Sequence, residues 1–118
     1  MGYPKVFERP VGTTPDAAYA IARAWLHEIG AKAKREAPPS RIEAVYGHGL
    51  RLVTQESAKK FLNIDFLPIP AGTLVRVTMP LSTWHIDDGH MMEDAVVRSW
   101  ARFVDGLWVR LGYPPSAV

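Results

Sequence analysis

The stretch "AKKFLNIDFLPIPAGTLVRVTMPL", Ala58–Leu81, decides the fold. Leu62, Ile64 and Phe66 alternate with Asn63 and Asp65, and Val75, Val77 and Met79 alternate with Arg76 and Thr78. A period of two is that of a strand with one face in a core and the other in water. Between the runs, "PIPAG" supplies the proline and glycine of a short turn. The two strands are therefore expected to form an antiparallel hairpin.

Upstream, "RIEAVYGHG" (Arg41–Gly49) sets Ile42, Ala44 and Tyr46 against Glu43 and Val45. "AKAKREA" (Ala31–Ala37) separates Ala31 and Ala33 from Lys32 and Lys34, and "PPS" lies between the two runs. They read as neighbouring strands, the first an edge strand whose lysines discourage pairing with a second chain. Residues 50–57 read as a short extension and a connection. Before these strands, "TTPDAAYAIARAWLHEIG" (Thr13–Gly30) carries a full set of helix signals: Thr14 as N-cap, Pro15 at the first helical position, Asp16 in the first turn and Gly30 as the stop. Ala18, Ile21, Ala22, Trp25, Leu26 and Ile29 share one side. Alanines at 17, 18, 20, 22 and 24 make the first half of this helix thin, so that it can approach its neighbours closely. Extended "KVFERPV" (Lys5–Val11) adds a strand in front.

Downstream, a helical period returns from about Gly89 and closes at Gly112, with Pro114 and Pro115 beyond. Met92, Val96, Val97, Trp100, Phe103, Val104, Leu107, Trp108 and Leu111 fill an arc of about 160°, wider than the roughly 100° that covers one sheet. Either Val97, Val104 or Trp108 is left partly exposed on the flank, as a homodimer contact would need, or the extra width meets the first helix alongside. Arg98, Ala101, Arg102 and Asp105 form the solvated back. The expected fold is α+β: a two-layer sandwich of four to five antiparallel strands with two helices on one face, in the order β-α-β-β-β-β-α. With 118 residues and 47% apolar content, residues 1–118 make a single domain.

This order, with a long aromatic C-terminal helix laid across the sheet, resembles the helix-grip or TBP-like group of folds. "TPDAAYAIARAWLHEIGAKAKREAPPSRIEAVYG" also resembles small uncharacterised prokaryotic, archaeal-like domains with a helix, a "PP" turn and an "IEAV" strand. The resemblance implies a fold used by ligand-binding, nucleic-acid-binding and protein-binding domains, so it selects no single function.

Composition narrows the chemistry. No cysteine is present, which excludes disulfides, thiolate nucleophiles and Cys-ligated zinc. No apolar run approaches a membrane span and the start lacks a signal-peptide core, so no membrane partner and a cytoplasmic location are expected. "STWHIDDGHMMED" (Ser82–Asp94) is dense in potential ligands, and His85, Asp87 and His90 could hold zinc or another divalent ion in a metal-dependent hydrolase. Their spacing lacks the helical i,i+4 histidine pair of a strong zinc motif. Asp87 or Asp88 as a cap, with Glu93 and Asp94 in the first turns, gives the same acids a role in starting the last helix. Serines lie in no nucleophile-elbow context and glycines form no phosphate loop, so an enzyme is not indicated and no cofactor is expected.

Residues 31–60 carry seven cations against three acids. Lys32, Lys34, Arg35, Arg41, Arg51, Lys59 and Lys60 could thus form a basic face for nucleic acid, although large aromatics on helix faces argue against a stacking platform. Tyr46, Phe66, Met79, Trp100 and Val104 would line an apolar ligand pocket between the sheet and the last helix, unless the same bulky groups fill it. The expectation is a small binding or interaction module, homodimeric, with room for an apolar ligand. Metal-dependent hydrolysis and nucleic-acid binding are the alternatives.

Overall fold

The computed structural model describes residues 5–47, 60–79 and 89–114, with side chains for all of these except 60, 89–97 and 99. At its centre β4 (Lys60–Ile69) and β5 (Gly72–Met79) form the expected antiparallel hairpin, with Ile64 opposite Val77 and Phe66 opposite Val75. Leu62, Ile64, Phe66, Val75, Val77 and Met79 are at most 2% exposed, which places one whole face of the hairpin in the core. The turn is tighter than the five-residue "PIPAG" expected. Both strands continue until Ile69 faces Gly72, leaving only Pro70 and Ala71 between them. Pro68 is tolerated because β4 has already passed β3, whose last partner on it is Asp65, so the missing N–H falls on an open edge. Gly72 has φ of 143°, and a Cβ there would lie 2.2 Å from the backbone oxygen of Val11. Only glycine fits where the first strand crosses so close.

Around the hairpin the sheet runs β1-β5-β4-β3-β2, with every pair antiparallel. β1 (Lys5–Val11) and β2 (Lys32–Ala37) occupy opposite edges, and β3 (Arg41–Tyr46) lies between β2 and β4. A chain in this order must cross the sheet between its first two strands. α1 (Pro15–Ile29) makes that crossing, then the remaining strands return as a meander. Thr14 caps α1 by accepting from the Ala17 amide at 3.2 Å, and Gly30 ends it in the left-handed conformation at φ 80°.

α2 (Gly89–Arg110) packs beside α1 over the same face. Its Trp100, Val104, Leu107 and Trp108 join Ala18, Ala22, Trp25 and Leu26 of α1 in one core. The wide apolar arc is accounted for by this neighbour. Trp25 packs on Phe103 at 5.4 Å between ring centroids, and Gly106 leaves room for Trp25, whose Nε1 would be 3.0 Å from a Cβ added there. Arg110 pairs with Glu28 across the seam. Val104 and Trp108 are thereby buried, at 0% and 4% exposure, rather than left on a free flank; the side chain of Val97 lies outside the described residues. Of the acids read as starting this helix, Glu93 and Asp94 come in its second turn, and the candidate caps Asp87 and Asp88 lie outside the described residues.

The other face of the sheet carries a row of alternating charge. Glu8, Arg76, Asp65 and Arg41 stand directly opposite one another across β1, β5, β4 and β3. Arg76 Nε meets Glu8 at 2.7 Å, while Arg41 meets Asp65 through Nη1 at 2.8 Å and Glu43 through Nε at 3.1 Å. Opposite charges placed directly across antiparallel strands support the pairing register.

Candidate functional site

The helix layer does not close evenly over the sheet. At the β2 edge a half-open groove of about 560 Å³ runs between α1 and the strand. Its helix wall is Ala20, Arg23, Ala24 and His27, a set at helical spacing, and its strand wall is Ala31, Ala33 and Glu36. Tyr19 and Leu26, at 7% and 2% exposure, form the floor. The groove exists because both walls are built of alanine, whose single methyl leaves the space that a leucine or tryptophan would fill. All six residues of β2 are exposed as a result.

One end of the groove is polar. The Tyr19 hydroxyl donates to Glu36 Oε1 at 2.5 Å, and Arg23 Nε pairs with the same oxygen at 3.0 Å. Burial, helped by the hydrogen bond to Glu36 and the nearby negative charge, pushes the Tyr19 pKa up to about 12, so this phenol is a neutral donor at physiological pH. Glu36 reaches the helix side because a bulge between Ala33 and Arg35 shifts the register, placing Glu36 opposite buried Ile42. Without that irregularity the residue would stand on the other face of the sheet.

The residues predicted to line a pocket under the last helix fall in one cluster. Phe66, Met79, Trp100 and Val104 are buried within the core, and Tyr46 is half-buried at its margin with its ring 5.0 Å from that of Phe103. Of the metal candidates, His85 and Asp87 lie outside the described residues, as does the His90 side chain. Among the described residues no group of three or more His, Asp or Glu could hold a metal ion. On the basic face, Lys32, Lys34 and Arg35 are exposed on β2, while Arg41 is held between Glu43 and Asp65. Arg51, Lys59 and the Lys60 side chain lie outside the described residues. No described helix is long and apolar enough to cross a membrane.

The groove residues were not singled out from sequence. The alanine-rich half of α1 was the available signal, but it reads equally as close packing. The structure divides it: Ala18 and Ala22 are wholly buried against the core, whereas Ala20 and Ala24 are exposed in the groove.

Solved structures share this architecture. The crystal structure of a Mesorhizobium loti protein superimposes with a TM-score of 0.60 at 14% identity, covering 92% of this chain and 96% of its own. The solution structure of an AHSA1-like protein from Rhizobium etli gives 0.58 at 16% identity, over 98% and 86% of the two chains. An uncharacterised protein from Rhizobium leguminosarum gives 0.57 at 16%, over 92% and 93%. The chain thus has a helix-grip type of fold, a small α+β domain with a long C-terminal helix laid over an antiparallel sheet. No protein-family model and no curated protein matches the chain.

Proposed function

We propose that the protein is a small-molecule binding module, with the ligand held in the groove between α1 and β2. The groove itself carries this reading. Its volume falls within the range of about 300–1,000 Å³ usual for small-ligand sites, and its lining is mostly apolar with a few polar groups at one end. A ligand under α2 would have to displace Trp100 or Val104 from the core, whereas the α1 groove takes one without moving any buried side chain. The helix-grip neighbours fit a module of this kind.

Methyl NMR of the alanine, valine and methionine side chains with a neutral apolar probe, decan-1-ol, tests the location. Shifts confined to Ala20, Ala24, Ala31 and Ala33 support the groove. Shifts at Met79 and Val104 instead would move the site to the pocket with Tyr46, Phe66 and Trp100, and no shift anywhere removes the reading. Homodimerisation, expected from the width of the last helix, now rests on the exposed Val6 and Phe61 of the sheet. A single monomer species in sedimentation at concentrations well above the micromolar range would remove it.

A further inference from the structure

We infer that the ligand of the α1–β2 groove is an amphipathic monocarboxylate, an acid with one apolar body, whose carboxylate is taken by Arg23. This rests on the reading of the groove as a ligand site, and it assigns the chemical class. The argument starts from the charges at the polar end. Glu36 is the groove's only acid among the described residues, and its Oε1 already accepts the Tyr19 hydroxyl at 2.5 Å and is ion-paired with Arg23 Nε at 3.0 Å. An incoming cation would have to compete with Arg23 for it. Arg23 itself is 65% exposed along its side chain, lines the groove, and has Glu36 as its one acid partner among the described residues, so its guanidinium keeps donors for a second carboxylate. A guanidinium is a fork of five donors and a carboxylate is its natural complement.

The same molecule shows the finished form of this arrangement. On the open face Arg41 gives its Nε edge to Glu43 and its Nη1 to Asp65, so one guanidinium holds two carboxylates. Arg23 is ion-paired with one carboxylate, Glu36, and lines the groove, so a second acid can be taken there. A ligand carboxylate would stand to Arg23 as Asp65 stands to Arg41. The apolar body would then lie over Leu26 and the methyls of Ala20, Ala24, Ala31 and Ala33.

The test is an alanine-methyl NMR titration of the full chain with three ten-carbon probes, decanoate, decan-1-ol and decylamine, each kept below its micellar concentration. Decanoate is expected to shift the four groove alanines and to bind about tenfold tighter than decan-1-ol, the increment of one charge-assisted hydrogen bond. Arg23→Gln should reduce decanoate to the affinity of the alcohol and leave the alcohol unchanged. Arg23→Lys, which keeps the charge without the fork, should recover only part of the difference. Equal affinity for decanoate and decan-1-ol, or decanoate binding indifferent to Arg23→Gln, overturns the carboxylate assignment while leaving the groove as a site. Preference for decylamine overturns it in favour of Glu36 as the anchor. Absence of any shift at the groove alanines with all three probes overturns the binding reading and this inference together.

Discussion

The two edges of the sheet are finished in opposite ways. At β1, α2 brings large side chains over the strand: Trp108 is 4% exposed, and Arg9 lies over the rings of Trp108 and Tyr113 at 5.8 and 5.1 Å. The Tyr113 hydroxyl donates to the Pro10 carbonyl, and Val11 is buried at the strand's end. At β2, α1 presents Ala20 and Ala24 to Ala33, and the strand stays exposed along its whole length. The sheet and helices are continuous between the edges. Side-chain volume alone therefore decides which side of a two-layer domain is core and which is a cleft.

The comparison breaks most severely at Trp108. Trp108→Ala removes the group that closes the β1 edge and should destabilise the domain by about 3–5 kcal/mol, since the indole is buried and its neighbours collapse only partly into the space. Urea denaturation followed by circular dichroism measures this. A loss below about 1 kcal/mol would mean that the β1 edge is no better packed than the β2 edge.

That contrast also explains what could be read in advance. The hairpin of β4 and β5, the helix bounded by Thr14 and Gly30 and the α+β order follow from periodicity and end signals, which act within a few residues. Burial of Trp108 does not, because a 160° arc is compatible with either an exposed flank or a neighbouring helix, and only the placement of α1 decides. The groove was hidden for a further reason. It is a space between Ala24, which the sequence reads as close helix packing, and Ala33, which it reads as one side of an edge strand, and its one acid among the described residues, Glu36, faces the helix only because the strand bulges after Ala33. A strict alternation from Lys32 would have placed Glu36 on the open face with the cations.

A change of intermediate size bears on the polar end of the groove. Tyr19→Phe deletes the bond to Glu36 but leaves that carboxylate paired with Arg23, so the cost should be about 0.5–1.5 kcal/mol. The pH dependence gives an independent check. The folded-state pKa of Tyr19, about 12, lies above its ordinary value of 10.0, so the neutral phenol is favoured in the folded chain. This contribution is fully present below pH 10 and is lost as pH rises from there toward 12, because the unfolded chain releases the proton first. The gap in stability between the natural chain and Tyr19→Phe should narrow across that window. A constant gap would mean that the hydroxyl is not held by Glu36 in solution.

The smallest stability effect belongs to the substitution that would make the edges alike. Ala24→Leu places a branched side chain in the groove from an exposed position on α1, where helix propensity for the two residues is similar and no packed neighbour has to move. Its stability should stay within about 0.5 kcal/mol of the natural chain. Decanoate binding should nevertheless fall several-fold, because the volume open to an apolar body shrinks while Arg23 and Glu36 keep their pairing. Stability and binding would then separate at one residue, as expected if alanine stands at the β2 edge for the space it leaves. If Ala24→Leu instead stabilised the domain by more than about 1 kcal/mol with binding intact, the groove would be an underpacked seam, and the two edges would differ only in how well each is filled.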